Sequence, residues 1–243
     1  MGPIRALFVD AGGTLVLPDH GTVVEVLASI GVVVDRGRLD DAHYAGMAAF
    51  DRLAVNDDAA TLVYRRAYAE AAGVPDDRLG EAVAAFGRLS AARGHWIRAI
   101  PGAREMLEVA GAAGLPIVIV SNTERGDAAQ QLAAAGVCQI GPGPGARVGH
   151  VVDSALLGRA KPDPLMFETA IRAVGVSPDT AVHVGDSLLA DVRGAEAAGI
   201  AAVHVDPLDR CPHRDHPHVA TVREVPSLLG FGPTVPLPAG RLG

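Results

Sequence analysis

Short apolar runs alternate with helical periodicities along most of this chain. Four mostly apolar runs of five or six residues end at polar residues or glycine, and they span residues 4–9, 115–120, 180–184 and 200–205. Runs of this length are typical of parallel strands buried on both faces. Residues 148–152 predict a further strand. Helical segments separate the strands, so the pattern predicts an α/β fold with a doubly wound parallel, Rossmann-like sheet.

The region between the first strand and residue 94 has a different pattern. No strand-like alternation interrupts it, and apolar residues at helical spacing predict helices over residues 23–30, 39–55, 58–72 and 76–93. We therefore expect residues 1–16 and 98–230 to form the α/β core domain and residues 17–97 to form an inserted all-helical domain. The Pro- and Gly-rich residues 231–243 are expected to form a flexible tail.

Polar side chains follow the predicted strands where each one ends. The carboxyl ends of parallel strands meet at one rim of an open sheet, where such folds build their sites. A lysine-proline pair opens the helix expected to end at residue 174, and it would approach the same rim. The side chains expected to meet there are Asp10, Ser121, Asn122, Lys161 and Asp186.

Composition limits the classes of function. The chain has 243 residues, 49% of them hydrophobic, and a formal net charge of −7, which argues against nucleic acid or an anionic membrane as partner. No apolar run reaches the roughly 18 residues that a membrane span needs. The two cysteines, Cys138 and Cys211, indicate no disulfide framework. Without an N-terminal signal pattern, a cytoplasmic location is expected.

Each residue type at the rim suits one part of phosphoryl transfer. A strand-end carboxylate such as Asp10 can attack phosphorus and divide one hard step into two. Ser121 and Asn122 can donate hydrogen bonds to phosphoryl oxygens, and Lys161, the only lysine in the sequence, can stabilise the same oxygens. Asp10 and Asp186 are the minimum carboxylate set for Mg²⁺, which prefers oxygen ligands.

Four motifs in this order resemble the haloacid dehalogenase superfamily, whose members are mostly Mg²⁺-dependent phosphatases. The motifs are Asp10-Ala11-Gly12-Gly13-Thr14, Ser121-Asn122, Lys161-Pro162, and Gly185-Asp186-Ser187 with Asp191. The resemblance covers nearly all of the chain to about Val205. It implies that the helical insert is a cap over the substrate site.

The resemblance also implies a set of residue roles. Asp10, Ser121 and Lys161 would be catalytic, and Gly13, Ser121, Asn122 and Lys161 would bind the phosphate. Asp10, the backbone carbonyl of Gly12, Asp186 and Asp191 would hold Mg²⁺, with Asp191 either a direct ligand or a residue behind the ligands. The implied function is hydrolysis of a small phosphorylated metabolite through an aspartyl-phosphate on Asp10. The protein is expected to be a monomer or a homodimer.

Gly12 departs from the family pattern, which has a second aspartate at this position. That aspartate would protonate the leaving group and activate water, help typically worth about 10²–10⁴ in rate. A histidine could replace it, and His20, His43 and His95 are the candidates. Alternatively, the substrate has a good leaving group, such as an acyl phosphate or a sugar 1-phosphate. A third possibility is weak or absent phosphatase activity.

Three other functions compete with the phosphatase hypothesis. Haloacid dehalogenases of the same superfamily also lack the second aspartate, but they need no metal, and the Asp186–Asp191 motif indicates a metal site. Phosphonoacetaldehyde hydrolases need a cap lysine, and the predicted cap contains none. A catalytically impaired protein that binds a phosphorylated ligand is the third alternative.

A second group of polar residues lies near the C-terminus. Cys211, His213, His216 and His218 cluster between prolines, and they could form a metal site. Their spacing matches no closed zinc motif, so the pattern favours a polar loop. A short helix around Leu228-Leu229 is expected to pack back on the core.

Overall fold

The computed structural model describes residues 3–53, 57–91 and 94–232. The strands of the described residues are β1 (Ala6–Val9), β2 (Val16–Leu17), β3 (Arg98–Ala99), β4 (Ile117–Ser121), β5 (Cys138–Ile140), β6 (Ala146–Val148), β7 (His150–Asp153), β8 (Ala181–Gly185), β9 (Ala201–Val205) and β10 (His218–Val219). The α-helices are α1 (His20–Ala28), α2 (Leu39–Asp51), α3 (Asp58–Ala72), α4 (Leu79–Ala91), α5 (Ala103–Ala112), α6 (Ala128–Ala134), α7 (Ser154–Leu157), α8 (Pro164–Val174), α9 (Gly194–Ala197) and α10 (Val225–Leu228). A π-helix, Leu188–Arg193, precedes α9.

A parallel sheet forms the centre of the core, which confirms the predicted fold class. Within the described residues it has six strands in the order β10-β9-β8-β1-β4-β7. Side chains of β1 alternate between its two faces: Leu7 and Val9 pack in one apolar cluster, and Ala6 and Phe8 pack in another. Because successive strand residues point to opposite faces, an uninterrupted apolar run fits a sheet covered on both sides.

The helical block lies between the two short strands of a separate antiparallel ribbon. Val16 pairs with Ala99 and Leu17 with Arg98, so the chain leaves and re-enters the core through adjacent strands. Helices α1 to α4 enclose an apolar cluster of their own, which includes Leu27, Leu39 and Leu79. The division into two domains at residues 16–17 and 97–98 stays a prediction.

Several predicted boundaries were displaced. The helix predicted to start at Pro162 begins at Pro164, because the side chain of Asp163 accepts the N–H of Leu165 and so forms the N-cap. The single strand predicted over 148–152 is two strands, separated at Gly149, whose N–H donates to Ile117 O at 2.9 Å. The two strands have different neighbours, since β6 pairs with β5 and β7 with β4.

Other expectations extend beyond the described residues. The helix predicted to residue 55 ends at Asp51, and residues 54–56 lie outside the described ranges. The helix predicted over residues 76–93 corresponds to α4, which begins at Leu79. Its last two predicted residues, 92 and 93, also lie outside the described ranges. Most of the predicted flexible tail, from residue 233, is likewise not described. None of the helices in the described ranges is long and apolar enough to cross a lipid bilayer.

Candidate active site

Strand register brings the predicted site residues to one rim. Val9 lies beside Ile119 of β4 and Val184 of β8. Asp10 is one residue beyond this level, and Ser121 and Asp186 are two residues beyond their own strand positions. The polar residues after three adjacent parallel strands therefore lie side by side, as the sequence predicted.

Lys161 connects two of the carboxylates. Its Nζ lies 2.5 Å from Asp10 Oδ1 and 2.6 Å from Asp191 Oδ1, and only 2% of its side chain is exposed. Although burial acts against the charged form, the neighbouring carboxylates of Asp10 and Asp191 raise the pKa of Lys161. The lysine is therefore held as a cation between two aspartates.

Asp191 is held by several donors. Its Oδ1 also contacts His183 Nε2 at 2.8 Å, and its Oδ2 accepts the N–H of Ser187 at 3.0 Å. Burial opposes ionisation, but Lys161 and His183 outweigh it and lower the pKa of Asp191. Asp191 thus orients Lys161 and closes the turn after β8.

Asp10 and Asp186 are buried acids whose ionisation Lys161 supports only in part. Burial raises the pKa of Asp10 to about 8, and the Asp191 and Asp186 carboxylates add to the rise while Lys161 opposes it. Burial likewise raises the pKa of Asp186 well above its usual range. Asp10, Asp186 and Asp191 each offer an oxygen within 4.8 Å of the others. Three buried carboxylates against one lysine suit a bound divalent cation with oxygen ligands.

The remaining predicted residues surround this group. Ser121 is buried and lines the cavity beside Asp10, and Gly12 lines it too. Asn122 exchanges two hydrogen bonds with the backbone of Lys161, at 2.8 and 3.0 Å, so its amide positions the lysine. Gly13 donates its N–H to Val16 O, and a Cβ at this residue would lie 2.0 Å from Asp186 Oδ2. Only glycine fits there.

Among the three histidine candidates, His43 contacts a predicted site carboxylate. Its Nε2 lies 2.9 Å from Asp186 Oδ2, and its Nδ1 lies 2.9 Å from the hydroxyl of Tyr64. Burial lowers the pKa of His43 to about 4. His20 instead pairs with Asp40 at 2.8 Å, and His95 lines the cavity next to Trp96.

Trp96 occupies the space beside Gly12. A Cβ on Gly12 would lie 3.2 Å from the indole Cζ3, and the Trp96 ring packs edge-to-face with His43 at 5.4 Å between centroids. The direction in which a side chain at residue 12 would project is therefore covered by an aromatic ring.

Asp51 joins the helical block to the core. Its carboxylate accepts the hydroxyl of Ser187 at 2.7 Å and the N–H groups of Leu188 and Leu189 at 2.8 and 3.1 Å. These donors belong to the first turn of the π-helix that carries Asp191. The end of α2 is thereby fixed over the turn that follows β8.

A cavity of about 390 Å³ lies above these residues. Its floor is formed by Asp10, Ser121, Lys161 and Asp186. Its walls come from both parts of the chain and include Met47, Phe50, Tyr64, Arg65, Trp96 and Arg125. The volume admits a small metabolite and places it against Asp10.

Sequence reasoning missed Asp51, Tyr64, Trp96 and His183. Their spacing from the motifs is irregular, and a lone polar or aromatic residue is usually structural. His183 had one usable signal: it interrupts the apolar run of β8 two residues before Gly185, which places an imidazole inside the core.

Comparison with known proteins identifies the family. A model for haloacid dehalogenase-like hydrolases matches residues 4–199. The chain therefore belongs to this hydrolase family, and the predicted resemblance is confirmed.

Two curated relatives carry phosphatase names. The phosphoserine phosphatase of Thermus thermophilus is 35% identical over 144 residues, which cover 59% of this chain and 53% of that protein. The chain thus matches about half the length of this relative. The phosphoglycolate phosphatase of Rhodospirillum rubrum is 29% identical over 206 residues, which cover 82% of this chain and 78% of that protein.

Solved structures share the fold. The HAD-hydrolase YfnB of Bacillus subtilis, whose crystal structure is described as bound to magnesium, superposes with a TM-score of 0.61 at 17% identity. The alignment covers 93% of this chain and 99% of that one. At this identity the likeness concerns the fold alone.

Proposed function

We propose that this haloacid dehalogenase-like hydrolase is a Mg²⁺-dependent phosphatase that acts on a small phosphorylated metabolite. The observation that carries the proposal is the buried Asp10–Lys161 pair on the floor of a small cavity, with Asp186 beside it. A carboxylate nucleophile and a fixed cation within reach of one reacting atom are what phosphoryl transfer needs.

In the proposed first step, an Asp10 oxygen attacks phosphorus. The bond from phosphorus to the leaving oxygen breaks, and an aspartyl-phosphate forms on Asp10. Lys161 and the Ser121 hydroxyl stabilise the negative charge on the phosphoryl oxygens, while Asn122 keeps the Lys161 backbone in place. In the second step water attacks, phosphate leaves and Asp10 is regenerated.

The proposed metal site consists of Asp10, the Gly12 carbonyl and Asp186. Bound there, Mg²⁺ would supply positive charge that screens the repulsion between Asp10 and an anionic phosphate. Asp191 is assigned to holding Lys161 and the Ser187 turn, because its oxygens already accept three hydrogen bonds.

The leaving group is proposed to depart without an acid like the family's second aspartate. His43 is a poor replacement, because both its ring nitrogens contact neighbouring groups and burial keeps it uncharged. Trp96 covers the vacant side of Gly12. We therefore expect substrates with good leaving groups, such as acyl or aryl phosphates, to react faster than alkyl phosphates.

The test is phosphate release from a panel containing an aryl phosphate, an acyl phosphate, phosphoserine and phosphoglycolate. The names of the two relatives make the last two the natural alkyl phosphates. Each is measured with Mg²⁺ and after chelation. We expect turnover to require Mg²⁺ and to become slower as the leaving group becomes more basic.

A parallel assay for halide release from 2-haloacids separates the alternatives. Metal-independent halide release, with no phosphate release from any substrate, would replace the phosphatase proposal by a dehalogenase. Absence of both activities, with a phosphorylated ligand still bound in calorimetry, would indicate a binding protein.

A further inference from the structure

A second group of ligand-type side chains lies next to the candidate active site. The loop of residues 206–217 leaves β9 and returns to β10, and it brings together His204, Cys211, His216 and His218. Each offers one nitrogen or sulfur atom, and these atoms all lie within 4.8 Å of one another. We name these four residues the loop cluster. His213, which the sequence grouped with them, is exposed and not a member.

The loop cluster is buried, unlike the polar loop that the sequence favoured. His204, Cys211 and His216 are each 8% exposed or less, and the His218 side chain is 7% exposed. The His216 and His218 rings stack at 4.5 Å between centroids, and both rings pack on His204. Burying three imidazoles and a thiol is costly unless their polar atoms have partners.

The outward nitrogen of each histidine faces an oxygen. His204 Nε2 lies 3.1 Å from the backbone carbonyl of Asp186. His216 Nδ1 lies 2.8 Å from Asp215 Oδ1. His218 Nδ1 lies 3.6 Å from Asp206 Oδ2, an ion-pair distance that is longer than a hydrogen bond. A carboxylate or carbonyl behind a histidine is the usual arrangement that orients a metal-binding imidazole.

The inward nitrogens of His204 and His216 face each other. His204 Nδ1 lies 3.2 Å from His216 Nε2. Among the described residues, His218 Nε2 has no hydrogen-bond partner although it is buried. Asp206 accepts the N–H of Cys211 at 2.9 Å and that of Arg210 at 3.0 Å, which fixes the loop at the point where Cys211 enters the cluster.

We propose that the loop cluster binds one Zn²⁺ ion through His204 Nδ1, Cys211 Sγ, His216 Nε2 and His218 Nε2. Thiolate and imidazole ligands suit zinc rather than magnesium. In a tetrahedral zinc site the ligand atoms lie about 3.3–3.8 Å apart, so the cluster needs only small side-chain movements to close around the ion. On binding, the Cys211 thiol loses its proton to solvent and the thiolate becomes the fourth ligand.

Four protein ligands leave no position for substrate, so the site is structural. Its attachments lead to the candidate active site. His204 is held by the backbone carbonyl of Asp186, and Asp215 pairs with Arg193 of the π-helix at 2.8 Å. The metal would therefore secure the 206–217 loop against the turn that carries Asp186 and Asp191.

Metal analysis of the purified full-length protein tests the proposal without any activity assay. We expect one zinc per chain after gel filtration, and retention below a tenth of this in Cys211→Ser and His216→Ala. His213→Ala, in the same loop, and Cys138→Ser, the other cysteine, are the matched controls and should retain the metal.

Cobalt substitution identifies the ligands. Co²⁺-loaded wild type should show tetrahedral d–d absorption and a thiolate-to-cobalt charge-transfer band, and Cys211→Ser should lose the latter. The wild-type spectrum tests the proposed ligands even if the variants fail to fold. A wild type that retains no zinc and gives no thiolate band refutes the site. So does zinc that persists in Cys211→Ser and His216→Ala but is lost in Asp186→Asn, since that places the ion among the carboxylates. Neither result depends on phosphatase activity.

Discussion

Two buried clusters of ligand-type side chains adjoin each other at one end of the sheet, and they differ in ligand chemistry and in charge. The strand-end cluster consists of Asp10, Asp186 and Asp191, with Lys161 between two of them. It offers hard oxygen atoms and excess negative charge. The loop cluster offers a sulfur and three nitrogens, and it carries no carboxylate of its own.

The clusters also differ in how the chain builds them. The strand-end cluster joins residues up to 181 positions apart, and strand register places them. The loop cluster lies within 15 positions, and a loop folded around Asp206 assembles it. They share Asp186, whose carboxylate belongs to the first and whose carbonyl contacts His204 of the second. Asp186 therefore takes part in both clusters through different atoms, its carboxylate in the first and its carbonyl in the second.

The largest expected effect is a loss of turnover that leaves the metal content of the loop cluster unchanged. Asp10→Asn removes the proposed nucleophile, so phosphate release should fall at least about 10⁴-fold. The zinc content should stay at the wild-type value, because Asp10 does not contact the loop cluster. Steady-state phosphate release and metal analysis measure the two outcomes. Asp77→Asn, an exposed residue before α4, is the control. Full turnover in Asp10→Asn would refute the covalent mechanism.

Lys161→Met tests whether the lysine balances the charge of the strand-end cluster. It leaves Asp10 and Asp191 buried without their cation, which should reduce the free energy of unfolding by about 3–5 kcal/mol. Turnover should fall about 10²–10³-fold. Urea unfolding and phosphate release are the measurements. Arg159→Met, two residues away and exposed, should change stability by less than about 0.5 kcal/mol. Equal effects in both variants would contradict a special role for Lys161.

Gly12→Asp tests whether an added aspartate beside the strand-end cluster can act as the general acid. Alone it should destabilise the protein by about 1–3 kcal/mol, because the new side chain meets Trp96. In the double variant with Trp96→Ala, turnover of an alkyl phosphate should be about tenfold or more above that of Trp96→Ala alone.

The comparison is with Trp96→Ala alone, which creates the space but adds no acid. If the single and double variants turn over the alkyl phosphate equally, the missing aspartate does not limit the rate.

The smallest effect concerns the contact between α2 and the turn after β8. Asp51→Ala leaves the Ser187 hydroxyl and two N–H groups without their acceptor, so stability should fall by about 1–2 kcal/mol. KM should rise more than kcat falls, since α2 is less firmly placed. Asp41→Ala, exposed on the same helix, is the control. An unchanged KM would show that Asp51 contributes to stability and not to substrate binding.

The fold and the strand-end cluster were predictable because their signals are local. An apolar run of six residues ending at Asp10 specifies a buried strand with a carboxylate at its end. Parallel pairing then places Ser121 and Asp186 beside it without further information. The predicted start of α8 was wrong by two residues. Pro162 precedes the N-cap residue Asp163, but in the sequence it resembles a proline in the first helical turn.

Consecutive residues were enough to predict which side chains the sheet gathers, since strand period and strand ends are local properties. The contacts of His43 and Asp51 with the turn after β8 were not predictable in this way, because they span more than 130 positions and depend on how the helical block packs on the core. The same holds for Cys211, His216 and His218, which packing buries around His204. The burial of these polar side chains follows from packing between elements, and no local pattern in residues 204–218 encodes it.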